Sequence, residues 1–132
     1  MSIAIEHVGV WVKDLENMKN FYQTYFKATA SEKYHNPRTG FSSYFLSFED
    51  GARLELCYRP DIVSGDKDTF GFTHLAIAVG NEADIDGFAQ RFEANGYPIQ
   101  SGPRTTGDGY YEAVVFDPEG NQLELTTQLK KQ

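Results

Sequence analysis

The chain changes hydrophobic period from two to about 3.6 and back, and it does so twice. In IEHVGVWV, Ile5 to Val12, apolar and polar positions alternate around His7, the mark of a half-buried strand. DLENMKNFYQTYF follows, with Leu15, Met18, Tyr22 and Tyr25 at helical spacing, Phe21 and Phe26 beside them, and Asp14 placed to cap the first turn. Past the midpoint FTHLAIAV, Phe72 to Val79, alternates around His74. NEADIDGFAQRFEANG then puts Ile85, Phe88, Ala89 and Phe92 on one helix face, with Asn81 as cap and Gly96 as stop.

Strands and turns complete each half. The first continues as TASEKYH, an NPRTG turn, FSSYFLSF, an EDG turn and ARLELCY; the second as YPIQS, a GPRTTGDG loop, YYEAVVF, a DPEG turn and NQLELTT. Both halves therefore read strand, helix, three strands, an α+β pattern of two βαβββ modules. The first spans about residues 1–58, a polar connector about 59–71, and the second about 72–128. Neither module is large enough to be stable alone, so one domain over 1–132 with a shared core is the expectation.

Register picks out four polar side chains. His7 precedes Glu55 by 48 residues and His74 precedes Glu124 by 50, and each Glu stands between two leucines, in LEL of ARLELCY and LEL of NQLELTT. Period-two geometry sends Leu54, Leu56, Leu75, Ile77, Val79, Leu123 and Leu125 to the helix-covered faces. His7, Gly9, Trp11, Glu55, Cys57, Arg59, His74 and Glu124 then share the opposite faces. One such His or Glu is usually solvated surface. Two imidazoles and two carboxylates at repeat-related positions form a set suited to a divalent ion such as nickel, zinc, iron, cobalt or manganese.

Composition narrows the function. The single cysteine, Cys57, forms no internal disulfide and fits a reducing cytoplasm. A net charge of −7 without a basic cluster opposes nucleic acid. Neither a long apolar run nor an early basic residue suggests a membrane span or a secretory signal. His35 reads as an exposed turn residue, and Glu16, Glu82 and Asp86 as solvated helix faces.

EHVGVWVKDLENMKNFY, GFTHLAIAV and SGPRTTGDGYYEAVVFDPEGNQLELT, with the four residues in register, resemble the vicinal oxygen chelate superfamily and, within it, the small glyoxalase I group. The resemblance implies cupped, half-barrel mixed sheets with helices on the outer face. It also implies one divalent metal held by His7, Glu55, His74 and Glu124, and a homodimer. The implied activity is that of a lyase or isomerase moving a proton on a metal-chelated 2-oxoaldehyde–thiol adduct or related small carbonyl compound. Glu124 would be the base, although pseudo-symmetry makes Glu55 equivalent on sequence alone. Where bacterial-type members hold glutathione with an Arg and an Asn, this chain has Trp11 and Arg59. Those two and Arg104 are the candidate substrate contacts. Other superfamily activities are the alternatives: an extradiol-type dioxygenase, an epimerase, a thiol transferase, or a non-catalytic binder of an antibiotic or other small molecule.

Overall fold

In each half of the chain the first strand pairs parallel with the last, so the whole half must cross over before its sheet can close on that edge. The computed structural model describes residues 2–127. It divides into two compact units, residues 1–66 and 67–132.

The first unit contains β1 (His7–Trp11), α1 (Leu15–Phe26), β2 (Thr29–Ala30), β3 (Tyr34–Asn36), β4 (Phe41–Ser47) and β5 (Arg53–Tyr58). Its sheet runs β1-β5-β4-β2, with β3 also paired to β4. The second contains β6 (His74–Gly80), α2 (Glu82–Ala94), β7 (Ile99–Thr105), β8 (Tyr111–Phe116) and β9 (Gln122–Thr127), ordered β6-β9-β8-β7. The sheets are mixed and open, with one helix for each, as the two-module reading predicts.

Local chemistry sets the helix ends. Asp14 accepts a hydrogen bond from the Asn17 amide at 3.0 Å, and Lys27 ends α1 in the left-handed region at φ 56°. In α2, Asn81 and Asp84 bond each other's backbone amides reciprocally. Gly80 sits at φ 130°, where an added Cβ would lie 2.2 Å from the Asp84 carboxylate; glycine lets the strand run straight into this cap.

The helices bury the faces their spacing marks. Met18 and Tyr22 pack in unit 1, whose core includes Leu46, Leu54 and Leu56; Ile85 and Phe92 do so in unit 2, with Val115, Leu123 and Leu125. Each of these large side chains contributes roughly 1.5–3 kcal/mol by leaving water. The leucines on either side of Glu55 and Glu124 thus anchor their strands, while both glutamates remain partly exposed on the other face.

Several local expectations fail. TASEKYH forms two short strands, because Ser31 is diverted to pair with Phe45 through backbone and hydroxyl. The first half of the expected loop GPRTTGDG is strand: β7 runs through to Thr105, with register shifts absorbing Gly102 and Pro103, and the rest is turn and loop as expected. Glu16 and Asp86 do not merely face solvent, since they accept hydrogen bonds from the sheet hydroxyls of Tyr44 and Tyr111 and tie each helix to its sheet. His35 lies in β3, not in a turn, and its Nδ1 is 2.7 Å from Ser42 Oγ. Inside the expected connector, Lys67 donates to the Gly120 carbonyl at 2.9 Å and so belongs with the second unit.

Candidate metal centre

His7 opens β1, and parallel pairing sets it opposite Arg53, one step along the face from Glu55. Its Nε2 lies 3.6 Å from Glu55 Oε1. On the other side of the ring, Nδ1 is 3.2 Å from Glu6 Oε1, and Glu6 is in turn hydrogen-bonded by Arg53, which holds its carboxyl below the usual carboxylate range. Phe45 meets the imidazole edge to face at 5.2 Å. The ring is therefore fixed from behind and from the side, with Nε2 directed to the carboxylate.

The second unit repeats the device with different chemistry. His74 opens β6 opposite Gln122, and its Nε2 lies 3.2 Å from Glu124 Oε2. Thr73 Oγ1 takes the place of Glu6, 2.7 Å from Nδ1. A cavity of about 390 Å³ adjoins Glu124, lined by Ala76 and Ala78 on β6, Thr126 and Thr127 on β9, Glu112 on β8, and Asp108 and Tyr110 in the loop before β8. Burial pushes the Glu112 carboxyl up, and the hydrogen-bonded Glu124 carboxylate pushes it the same way.

Both pairs fit the donor set of a divalent ion. Two ligands at about 2.1 Å from one ion are roughly 3.0 to 3.4 Å apart when adjacent in octahedral or tetrahedral geometry. The observed 3.6 and 3.2 Å are close to that separation. Nδ1 of each ring meets a polar group able to set the tautomer that leaves Nε2 as donor. Each unit supplies one imidazole and one carboxylate. Among the described residues, no group of three or more His, Cys, Asp and Glu is close enough to hold an ion by itself. Cys57 shares the Glu55 face, but burial first, then the Glu55 carboxylate, pushes its thiol up to about 11, so it stays protonated at neutral pH.

Of the three candidate substrate contacts, Trp11 and Arg59 each stand four residues past His7 and Glu55, and Arg104 is in β7. Trp11 ends β1 on the His7 face, and the Arg59 guanidinium lies over its ring, 5.1 Å from the centroid. Arg59 Nε also donates to Asp61. Arg104 pairs in register with Glu112, and its Nε donates to Ser101 Oγ at 3.3 Å. The sequence reading missed Glu6 and Thr73, although a polar residue immediately before each His was there to be seen. It also missed Glu112, which carries no signal of its own in YYEAVVF until β8 and β9 are paired.

The profile of the family described as Glyoxalase/Bleomycin resistance protein/Dioxygenase superfamily matches residues 4–125. A lactoylglutathione lyase of Haemophilus influenzae is 30% identical over 128 residues, covering 93% of this chain and 91% of the relative. Glyoxalase I of Zea mays superposes with a TM-score of 0.78 at 25% identity, covering 97% of this chain and 46% of that one. A glyoxalase/bleomycin resistance protein/dioxygenase domain from Frankia sp. shares the fold at a TM-score of 0.82, with 17% identity and coverage of 98% and 100%.

Proposed function

Because the chain belongs to the glyoxalase, bleomycin resistance protein and dioxygenase superfamily, we propose that it is a metal-dependent lyase or isomerase of the glyoxalase I type. Its substrate would be a 2-oxoaldehyde–thiol adduct or a related small carbonyl compound. The observation that carries the reading is the repeated pair. In each unit a His Nε2 and a Glu carboxylate oxygen meet at 3.6 or 3.2 Å, with Nδ1 supported from behind. A dioxygenase of the two-His, one-carboxylate kind needs only three of these donors. The retained fourth favours the lyase.

His7, Glu55, His74 and Glu124 would hold one nickel, zinc, iron, cobalt or manganese ion, drawn together within one chain or across two. When bound, such an ion polarises a pair of substrate oxygens and stabilises the negative charge left by loss of the adjacent proton. Glu124 borders the unit 2 cavity and is the carboxylate assigned to take the proton from one carbon and return it to the next. Glu112, whose carboxyl is pushed up by burial and by the Glu124 carboxylate, lines the same cavity. The Trp11–Arg59 stack and Arg104 supply substrate contacts.

A homodimer belongs to the same proposal. Among the described residues β1 and β6 each pair on one side only within their units, and Ile3, Ile5, Val63, Phe70 and Phe72 are exposed apolar side chains in the segments before β1 and before β6. A cytoplasmic location fits the lone reduced cysteine and a structure in which no described helix is long and apolar enough to cross a membrane.

Turnover of 2-oxoaldehydes with several low-molecular-weight thiols tests the activity, with incorporation of solvent deuterium as a second readout. Glu124→Gln should keep much of the metal yet lose roughly 10²- to 10⁴-fold in rate, because an amide takes no proton at neutral pH. Full activity in both Glu124→Gln and Glu55→Gln, with metal bound, would leave the lyase without its base.

A further inference from the structure

Three residues around His7 differ together from their counterparts around His74. Strand register allows the comparison residue by residue. His7 faces Arg53 where His74 faces Gln122, and Glu55 faces Phe45 where Glu124 faces Val114. Glu6 precedes the first histidine and Thr73 the second. Unit 1 thus has an anion, a cation and a ring where unit 2 has a hydroxyl, an amide and a small aliphatic side chain.

The three meet one another and the imidazole. Glu6 Oε1 accepts from Arg53 Nε at 3.0 Å and from the guanidinium Nη2, and the same oxygen lies 3.2 Å from His7 Nδ1. The guanidinium also covers the Phe45 ring, 4.2 Å from its centroid, and Phe45 in turn meets the imidazole edge to face at 5.2 Å. Arg53 therefore reaches His7 by two routes, a polar one through Glu6 and an aromatic one through Phe45. Its backbone is tied in as well, since the Arg53 N–H donates to the Glu6 carbonyl at 2.9 Å. An ion pair at a surface ordinarily contributes little, because both side chains are free to swing into water. Here the guanidinium is held over a ring, and the oxygen it fixes is the one at His7 Nδ1.

We propose that Arg53 is a positioning residue for the unit 1 half of the metal site. It holds Glu6 and Phe45 against His7, so that the ring keeps its proton on Nδ1 and turns the Nε2 lone pair toward Glu55. Without the guanidinium fork the exposed Glu6 side chain regains rotamer freedom and leaves Nδ1. The imidazole then places its proton on Nε2, where it donates to Glu55 and blocks an ion. Unit 1 is in this way set for a metal before one arrives. The inference rests on the proposed metal-dependent reading for its purpose, but the tautomer it assigns belongs to the metal-free protein.

Nitrogen-15 NMR of the metal-free protein at about pH 8.5, above the ordinary imidazole range, reads that tautomer directly. His7 is assigned by its absence from His7→Ala. It should be in the Nδ1–H form in the wild type and move toward Nε2–H in both Glu6→Ala and Arg53→Met, the latter keeping a long side chain but no fork, while His74 stays as it was. Zinc affinity, by competition with a chromophoric chelator, should fall roughly 10- to 100-fold in each variant. In the double variant it should fall no further than in Arg53→Met alone, because Glu6 acts only through its hold on His7. An unchanged His7 tautomer in Arg53→Met, or losses that add in the double variant, would overturn the proposal. If the wild type binds no zinc, the metal reading fails instead, and the tautomer alone decides the role of Arg53: a shift in Arg53→Met supports it and no shift overturns it.

Discussion

The two histidines are held by unlike partners doing one job. Glu6 and Thr73 each meet an Nδ1, so Nε2 is left toward the carboxylate in both units. Supporting bonds of this kind typically change metal affinity by about 10- to 100-fold. Thr73→Val, which keeps the shape and removes the hydroxyl, should weaken zinc binding by about that factor without altering the fold, as read by competition with a chromophoric chelator. Unchanged affinity would mean that the hydroxyl does not orient the ring. Cys57 lends itself to a simpler test. A thiol pushed up to about 11 and buried in the sheet should react with iodoacetamide at pH 8 far more slowly in the folded protein than in urea, where it is exposed.

Helix attachment is where element-scale chemistry shows most clearly. Glu16 is raised by burial, but the Tyr44 hydroxyl and Lys33 outweigh that and leave its carboxyl below its usual value. A lowered folded value means that the folded state prefers the charged form. The contribution of Glu16 is then fully present above the unfolded value and is lost as pH falls through the folded one. Glu16→Gln should therefore unfold at lower urea than wild type near neutral pH, with the gap closing as acidification passes below the ordinary carboxylate range. In α2, Asn81→Ala removes the reciprocal cap and should cost about 1 kcal/mol in the same assay.

These elements also show what a sequence can and cannot display. Periodicity marked Met18, Ile85 and Phe92 as buried and Asp14 and Asn81 as caps, because each depends on neighbours within one turn. Alternation put Glu55 and Glu124 opposite their leucines for the same reason. The tyrosine anchors were not legible: Glu16 meets Tyr44 across 28 residues and Asp86 meets Tyr111 across 25, and nothing local announces either contact. Glu112 was hidden likewise, since only strand pairing brings it to Glu124. In GPRTTGDG, turn-forming composition lost to the ladder offered by β8 as far as Thr105 and held from Thr106 to Gly109.

At the scale of the whole molecule, two copies of one module each present an imidazole, a carboxylate and an open sheet face, but the faces differ. The first is aromatic, with Trp11, Phe41 and Tyr34; the second is small and acidic around Glu124, with Ala76, Ala78, Asp108 and Glu112. Exposed Ile3, Ile5, Phe70 and Phe72 make a dimer the expected assembly, so sedimentation should show one at micromolar concentration; a concentration-independent monomer would count against it. The central claim is that the two pairs act as one set of four ligands. Metal analysis of the purified protein tests it most directly. The account predicts about one divalent ion per His7, Glu55, His74 and Glu124 set in the wild type, and loss of stoichiometric metal in both His7→Ala and His74→Ala with folding intact. Undiminished metal content in both variants would contradict it.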